Sequence, residues 1–246
     1  MDNLRKLKKE YYSVLDKKAK SYSDLVKNGR KITPLLLEDI HSLYLSAKVE
    51  SDFSGERFES AYHNPVTSEF EFLVSRIIYY THSDLSVFLR RQFNKTAPDI
   101  RMERGGKTIA IIEIKSKAGW MQPFFSKERE QKYLDKFNSG RSNKDPRKQI
   151  EEIRHQLLKY SANFKIGKDR IFLLIPTFAS VHRKNSHRTL GDYLNDFETN
   201  STLSKDNLIL LSSNLSLYLG KKKLDKNELK PTDRLERFLI SLKDMK

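Results

Sequence analysis

The chain has 246 residues, enough for one large domain or two small ones with a substantial hydrophobic core. Its 47 Lys and Arg against 32 Asp and Glu give a formal net charge of +15, so charge favours nucleic acid as the partner. The lack of cysteine excludes disulfides, thiolate zinc sites, iron–sulfur clusters and a cysteine nucleophile. No long apolar run and no signal-peptide core are present, so we expect a cytoplasmic protein that does not enter a membrane.

Three helices are predicted in the first 80 residues. Apolar side chains recur at three- and four-residue steps from Leu4 to Leu25, which makes one apolar stripe on a first helix. A second helix begins with Thr33 as its N-cap, and a third covers residues 64–80. The polar stretch at 50–56 between the last two has the composition of a linker or loop.

The rest of the chain predicts a sheet with helices around it. Strand-like runs cover residues 86–93, 99–103 and 107–116, and a Gly-Gly turn joins the last two as a hairpin. A helix at 146–164, buried strands at 170–175 and 207–211, and a closing helix at 232–242 follow. These elements predict an α/β fold with a central mixed sheet flanked by helices. We divide the chain into an N-terminal helical region, residues 1–60, and a second domain, residues 61–246.

The residues that carry chemistry lie in the predicted hairpin. Side chains alternate along a strand, so Glu113 and Lys115 project from one face while Ile112 and Ile114 project from the other. With a strict two-residue turn, Asp99 on the preceding strand would lie opposite Ile112 and face away from Glu113. A three-residue loop, or one bulge, would place Asp99 opposite Glu113 on the same face. The chemistry therefore requires that the hairpin is not a strict two-residue turn.

Two carboxylates placed in this way have a specific chemical use. Directly opposed residues on paired strands have Cβ atoms about 4.5–5.5 Å apart, so Asp99 and Glu113 would be able to share a hard cation such as Mg²⁺. Lys115 would hold or help deprotonate an attacking water and stabilise charge on a phosphate. The structural alternative is a Glu–Lys ion pair at the solvent end of a strand, a pattern that arises often by chance.

This segment resembles the PD-(D/E)xK phosphodiesterase superfamily, whose fold is that of most type II restriction endonucleases. The match consists of Pro98-Asp99, a thirteen-residue spacer, and Glu113-Ile-Lys115 preceded by an apolar run. The helix before the hairpin matches as well, because Glu71 follows a phenylalanine in a Phe-Glu-x-Leu-Val-like context. Glu69 is the reserve choice, and a solvated helix glutamate is the alternative for either residue.

A second element of the resemblance lies in the later helix. Gln156 and Tyr160 are similar to the Gln-x-x-x-Tyr element behind the active site of RecB-like and related nucleases. The structural alternative places Tyr160 in the core and Gln156 on the surface. The resemblance covers residues 64–175 and says little about residues 1–60 or 212–246.

The resemblance implies a restriction-endonuclease-like core and Mg²⁺-dependent hydrolysis of a DNA phosphodiester to 5′-phosphate and 3′-hydroxyl ends. Asp99 and Glu113 would bind Mg²⁺, Lys115 would act on the water, and Glu71 would complete this metal site or reach a second one. We expect an endonuclease, specifically a type II restriction enzyme of a restriction-modification system that cuts a specific double-stranded DNA sequence. A homodimer is expected, because two-fold symmetry suits palindromic sites.

A basic, aromatic insert follows the predicted catalytic strand. Residues 117–148 hold nine Lys or Arg against four acidic residues, a local charge of +5. From it we predict DNA-binding residues: Lys117, Trp120, Lys127, Arg129, Lys132, Arg141 and Lys144. The alternative is a surface loop whose aromatic side chains pack on the sheet. A second basic run, residues 181–188, has histidines without metal-like spacing, which favours a solvated loop.

Two other functions remain open from the sequence. One is a different nuclease of the same superfamily, acting in repair, recombination or phage defence on ends, junctions or modified DNA. The other is a basic DNA-binding protein in which Asp99, Glu113 and Lys115 are only an ion-paired strand end. No helix-turn-helix pattern supports the latter, and the motif residues of GIY-YIG and HNH nucleases are lacking.

Overall fold

The structure is a computed structural model that describes residues 2–46, 66–115, 138–139, 146–182, 186–220 and 223–246. The helices with described bounds are α1 (Asp2–Lys27), α2 (Thr33–Ser46), α3 (Val66–Thr81), α4 (Pro146–Phe164), α5 (Leu190–Ser201) and α6 (Arg234–Ser241). The strands are β1 (Ser86–Leu89), β2 (Ile100–Arg104), β3 (Lys107–Ile114), β4 (Ile171–Ile175) and β5 (Leu208–Leu210).

The five strands form one mixed sheet in the order β1-β2-β3-β4-β5. The first three are antiparallel neighbours, whereas β3, β4 and β5 are parallel to one another. Parallel neighbours need a crossover connection, and α4 and α5 lie in the connections before β4 and β5. The predicted α/β class and the mixed sheet flanked by helices are therefore confirmed.

Each face of the sheet has its own hydrophobic core. Side chains of β3 alternate between them, with Ile112 and Ile114 in the core shared with α1, α2, α3 and α6. Ile111 lies in the other core, with α4 and α5. Residues of the N-terminal helices, such as Ala19 and Leu36, are fully buried in the first core. The proposed division near residue 60 falls in the undescribed residues 47–65 and stays a prediction.

The apolar stripe predicted on α1 is buried over only part of its length. Leu15 and Tyr22 are buried, but Leu4 and Leu7 are 77% and 60% exposed. α1 runs parallel to α3, because Tyr12 packs on Phe72 and the next turn, at Asp16, contacts Arg76. In this register the first turn of α1 extends past Val66, the first described residue of α3.

The sequence prediction did not include α5, which connects β4 to β5. Its signal was a capping box, in which Thr189 accepts from the backbone N–H of Asp192 and the Asp192 carboxylate accepts from Thr189. Tyr193 and Phe197 follow one turn apart and are both buried. The strand predicted at 86–93 is also shorter than expected, since β1 ends at Leu89 and the next residue has a left-handed backbone.

A buried carboxylate connects the last helix to the start of the second. Glu236 Oε1 accepts from the backbone N–H groups of Ile32 and Thr33 at 2.9 and 2.8 Å. The Thr33 hydroxyl donates to Glu236 Oε2 at 2.8 Å. The predicted helix start at Thr33 is confirmed, and its N-terminal N–H groups are satisfied by a side chain from α6.

We expect Glu236→Ala to lower the free energy of unfolding by about 2–4 kcal/mol, because it leaves buried donors without an acceptor. Chemical denaturation measures the effect. Arg237→Ala is the matched control, since that neighbouring side chain is 61% exposed in an ion pair with Asp233 and should change stability by less than about 0.5 kcal/mol. Equal losses in the two variants would contradict the capping role of Glu236.

Candidate active site

The β2–β3 hairpin combines a two-residue turn with a bulge. Gly105 and Gly106 have φ of 57° and 78°, a pair of left-handed conformations that suits glycine in a tight hairpin turn. The turn is closed by Arg104 opposite Lys107. By itself this turn gives the register that would separate the two carboxylates.

The bulge reverses that outcome. Met102 pairs with Ala110 whereas Glu103 pairs with Thr108, so Ile109 is an extra residue in β3. Beyond the bulge, Ile100 lies opposite Ile112, and continuing this register places Asp99 opposite Glu113. The requirement that the hairpin is not a strict two-residue turn is therefore met by one inserted residue.

Asp99, Glu113 and Lys115 meet at the end of β3. The Lys115 ammonium lies 2.5 Å from Glu113 Oε1 and 3.9 Å from Asp99 Oδ2. Asp99 Oδ2 also accepts from the backbone N–H of Ile114 at 2.7 Å. The structure thus brings together the three residues on which the sequence prediction depended.

The electrostatics of this group are unfavourable for two free carboxylates. Burial and, after it, repulsion from the Glu113 carboxylate raise the pKa of Asp99 from its ordinary value of 3.8 to about 7. Lys115 and the Ile114 N–H oppose this rise, and Glu71 contributes to it. Asp99 therefore retains a proton near neutral pH unless another cation replaces it.

Glu71 belongs to the site, as its contribution to the Asp99 pKa indicates. Its side chain is 3% exposed and accepts a charge-assisted hydrogen bond from Arg90 Nε. Glu69 lies near α1 as well as Arg90: its charge contributes, after burial, to the raised pKa values of Tyr11 and Tyr12. Between the two glutamates that the sequence left open, the geometry favours Glu71.

Helix α4 packs on the face of the sheet opposite α3, and it supports the Glu113 side chain on that face. The Tyr160 hydroxyl donates to Glu113 Oε2 at 3.0 Å, and Gln156 Nε2 lies 3.3 Å from Oε1. Gln156 also donates to the Tyr160 hydroxyl at 2.7 Å. Residues four apart on a helix lie on one face, so the Gln-x-x-x-Tyr spacing delivers both groups to one carboxylate.

Arg90 is the site residue that the sequence analysis missed. It follows β1 directly, with φ of 50° and a backbone N–H bond to the carbonyl of Asp99. The left-handed conformation ends the strand and turns the side chain, 48% exposed, toward Glu71. A charged residue after a strand is common, so no sequence signal distinguished it.

The predicted DNA-binding residues lie outside the described part of the chain. These are Lys117, Trp120, Lys127, Arg129, Lys132, Arg141 and Lys144. In the second basic run, residues 183–185 also lie outside it. The DNA contacts of the insert therefore stay a prediction.

The donor chemistry of the site fits a hard divalent cation. Asp99 and Glu113 present carboxylate oxygens on one face, which is the ligand type that Mg²⁺ prefers. As the side chains stand, no group of three or more metal-ligating residues is arranged around one point within the described ranges. Instead, Lys115 pairs with Glu113 and Arg90 pairs with Glu71, so these two side chains supply positive charge to the carboxylates.

Comparisons with known proteins add no family. No family model, curated protein or solved structure matches the chain. None of the described helices is long and apolar enough to cross a membrane. The function must therefore be inferred from the chemistry of the site.

We expect metal-free protein to lose stability as the pH rises from about 4 to about 7. In this range folded Asp99 keeps a proton that the unfolded chain releases, so rising pH favours unfolding. Asp99→Asn should remove this slope. Denaturant unfolding with chelator gives the free energy of unfolding at each pH. Equal pH dependence of this free energy in the two proteins would contradict the prediction.

Adding a divalent cation to the wild type and to Asp99→Asn provides the control for the pH experiment. If the carboxylates bind a divalent cation, Ca²⁺ or Mg²⁺ should raise the melting temperature of the wild type near pH 8, where Asp99 is largely ionised, and leave Asp99→Asn nearly unchanged. An equal rise in both proteins would place the binding site elsewhere.

Proposed function

We propose that the chain is a Mg²⁺-dependent DNA endonuclease of the PD-(D/E)xK type. The observation that carries the proposal is the bulge at Ile109, which places Asp99 and Glu113 on one face beside Lys115. The β1-β2-β3-β4 arrangement, with α3 before it and α4 inside it, is compatible with a restriction-endonuclease-like core. The net charge of +15 fits a polyanionic substrate.

Each residue has a role in this proposal. Asp99 and Glu113 would hold Mg²⁺, with Glu71 near enough to complete the set once Arg90 releases it. The bound ion would supply Lewis-acid activation of the scissile phosphate. Lys115 would donate a hydrogen bond that orients the attacking water and would stabilise the charge on the phosphate. Tyr160 and Gln156 would fix Glu113 in the orientation that binding requires.

Within this class we propose a type II restriction enzyme that acts as a homodimer on double-stranded DNA. A repair, recombination or phage-defence nuclease would use the same carboxylates, so the site supports both. A non-catalytic DNA-binding protein fits less well. Three carboxylates gathered so that Asp99 has a pKa of about 7 are costly for a structural ion pair, whereas a metal site requires them.

Cleavage assays on several unmethylated plasmid and phage DNAs, with Mg²⁺ or with chelator, separate these functions. Discrete Mg²⁺-dependent bands support the restriction enzyme, and a smear or end-trimming supports the other nuclease. We expect Asp99→Ala and Lys115→Ala to abolish cleavage but to retain DNA binding in Ca²⁺. Full cleavage by either variant would eliminate this site, and wild-type binding without any cleavage would favour the DNA-binding protein.

Tyr160→Phe should lower the cleavage rate by about 10-fold at limiting Mg²⁺, because Glu113 loses a hydrogen bond that orients it. Excess Mg²⁺ should recover part of the rate. Tyr22→Phe is a matched control, since it also removes a tyrosine-to-carboxylate hydrogen bond, to Asp39 in the N-terminal helices. Equal losses of activity in the two variants would contradict a positioning role for Tyr160.

A further inference from the structure

The first turns of α1 carry an exposed lysine that lies over the start of α3, the helix that carries Glu71. At 3.6 residues per turn, Lys8 lies on the same face of α1 as Leu15 and Ala19, which are buried in the core. Lys8 itself is exposed. Because α1 runs parallel to α3 with Tyr12 on Phe72, Lys8 one turn earlier lies over the start of α3.

The Lys8 ammonium lies near Tyr12 of α1 and within electrostatic range of Glu69 of α3. Its Nζ is 6.0 Å from the ring centroid of Tyr12, whose ring packs edge-on against Phe72 at 4.7 Å. Glu69 is the acidic neighbour on α3, and the charge of Lys8 acts on its carboxylate. Lys8 thus reaches the end of α3 from which Glu71 enters the site, two residues after Glu69.

Arg90 continues this line of positive charge into the site. It is close enough to Tyr12 for each to influence the other electrostatically, and its guanidinium is bonded to Glu71. Nearly half of the Arg90 side chain is exposed, so its outer edge is open to a ligand. Lys8, Tyr12 and Arg90 thus form a path toward the carboxylates. Lys8 lies near Tyr12, Tyr12 is within electrostatic range of Arg90, and Arg90 contacts Glu71.

The charge of α1 supports a polyanionic ligand on this path. Residues 2–20 carry seven Lys or Arg against three acidic residues, and Arg5 precedes Lys8 by three residues on nearly the same face. The carboxylates of the site repel a phosphodiester, so flanking cations must hold the strand that is cut. Exposed lysines and arginines on the first turns of α1, which packs on α3, meet this need.

We infer that the face of α1 formed by Arg5, Lys8 and Tyr12, together with Arg90, binds the phosphate backbone of the DNA strand that enters the active site. This inference rests on the proposed nuclease function and assigns part of the positive charge to a defined surface. Arg90 would exchange Glu71 for a phosphate oxygen when the site is loaded, because a guanidinium binds either group in the same geometry.

Charge reversal at Lys8 tests the surface, and the same helix offers a matched control. Lys6 is also exposed but lies about 160° around α1 from Lys8, on the outward face. Lys8→Glu and Lys6→Glu change the net charge equally. Both would be compared with the wild type for binding to a labelled duplex of about 30 base pairs in Ca²⁺, over a range of KCl concentrations.

For Lys8→Glu we expect binding about 10-fold weaker at about 0.1 M salt, and a log–log salt slope smaller by about one. Lys6→Glu should weaken binding less than about 2-fold, since salt screens the charge of a side chain that faces away from the bound DNA. Arg90→Gln should also weaken binding, which tests the inner end of the path. Thermal unfolding and light scattering report whether each variant keeps the fold and molar mass of the wild type.

Equal effects of Lys6→Glu and Lys8→Glu would overturn the inference, because only total charge would then matter. A change of molar mass in Lys8→Glu alone would overturn it as well, since the face of α1 would then be a protein interface. Either result with normal wild-type cleavage leaves the proposed function intact. A wild type that neither binds nor cleaves DNA would overturn both.

Discussion

The pairing register of β2 with β3 is the constraint on which the candidate site depends. The Gly105-Gly106 turn alone would direct Asp99 away from Glu113, and the extra residue Ile109 restores them to one face. The bulge also explains why Ile109 and Ala110, neighbours in sequence, both lie in the core shared with α3. One inserted residue therefore reconciles a tight turn with a shared carboxylate face and leaves one residue of β3, Ile109, unpaired.

Charge balance is the second constraint, and it follows from the first. Three carboxylates lie close together, and each has a compensating partner: a proton on Asp99, Lys115 on Glu113, and Arg90 on Glu71. Such an arrangement is balanced without a metal. In the proposed nuclease, a dication would satisfy the same oxygens and release the lysine and arginine, which would then face an incoming phosphate.

The sequence predicted the parts of this site that depend on local periodicity. Alternation along β3 put Glu113 with Lys115, whereas Gln156 and Tyr160 were predicted from the resemblance of their spacing to a nuclease motif. Asp99 was predicted only conditionally, because the position of a bulge depends on core packing and not on turn residues. Arg90 was missed because its direction comes from one left-handed backbone conformation. Helix α5 was missed although its capping box was visible, since the basic run before it favoured a loop.

The position of α1 relative to the sheet could not be predicted from local sequence patterns, because packing in the core determines it. Ala19 and Tyr22 pack in the same core as Ile112 and Ile114, on the strand that carries Glu113. Glu236 further ties α6 to the start of α2, so the N-terminal helices are held to the sheet from two directions. The first turns of α1 continue the same helix beyond this core. In the proposed nuclease, lysines held on a packed helix would determine which phosphate reaches Lys115, whereas mobile lysines would raise only the local concentration of DNA.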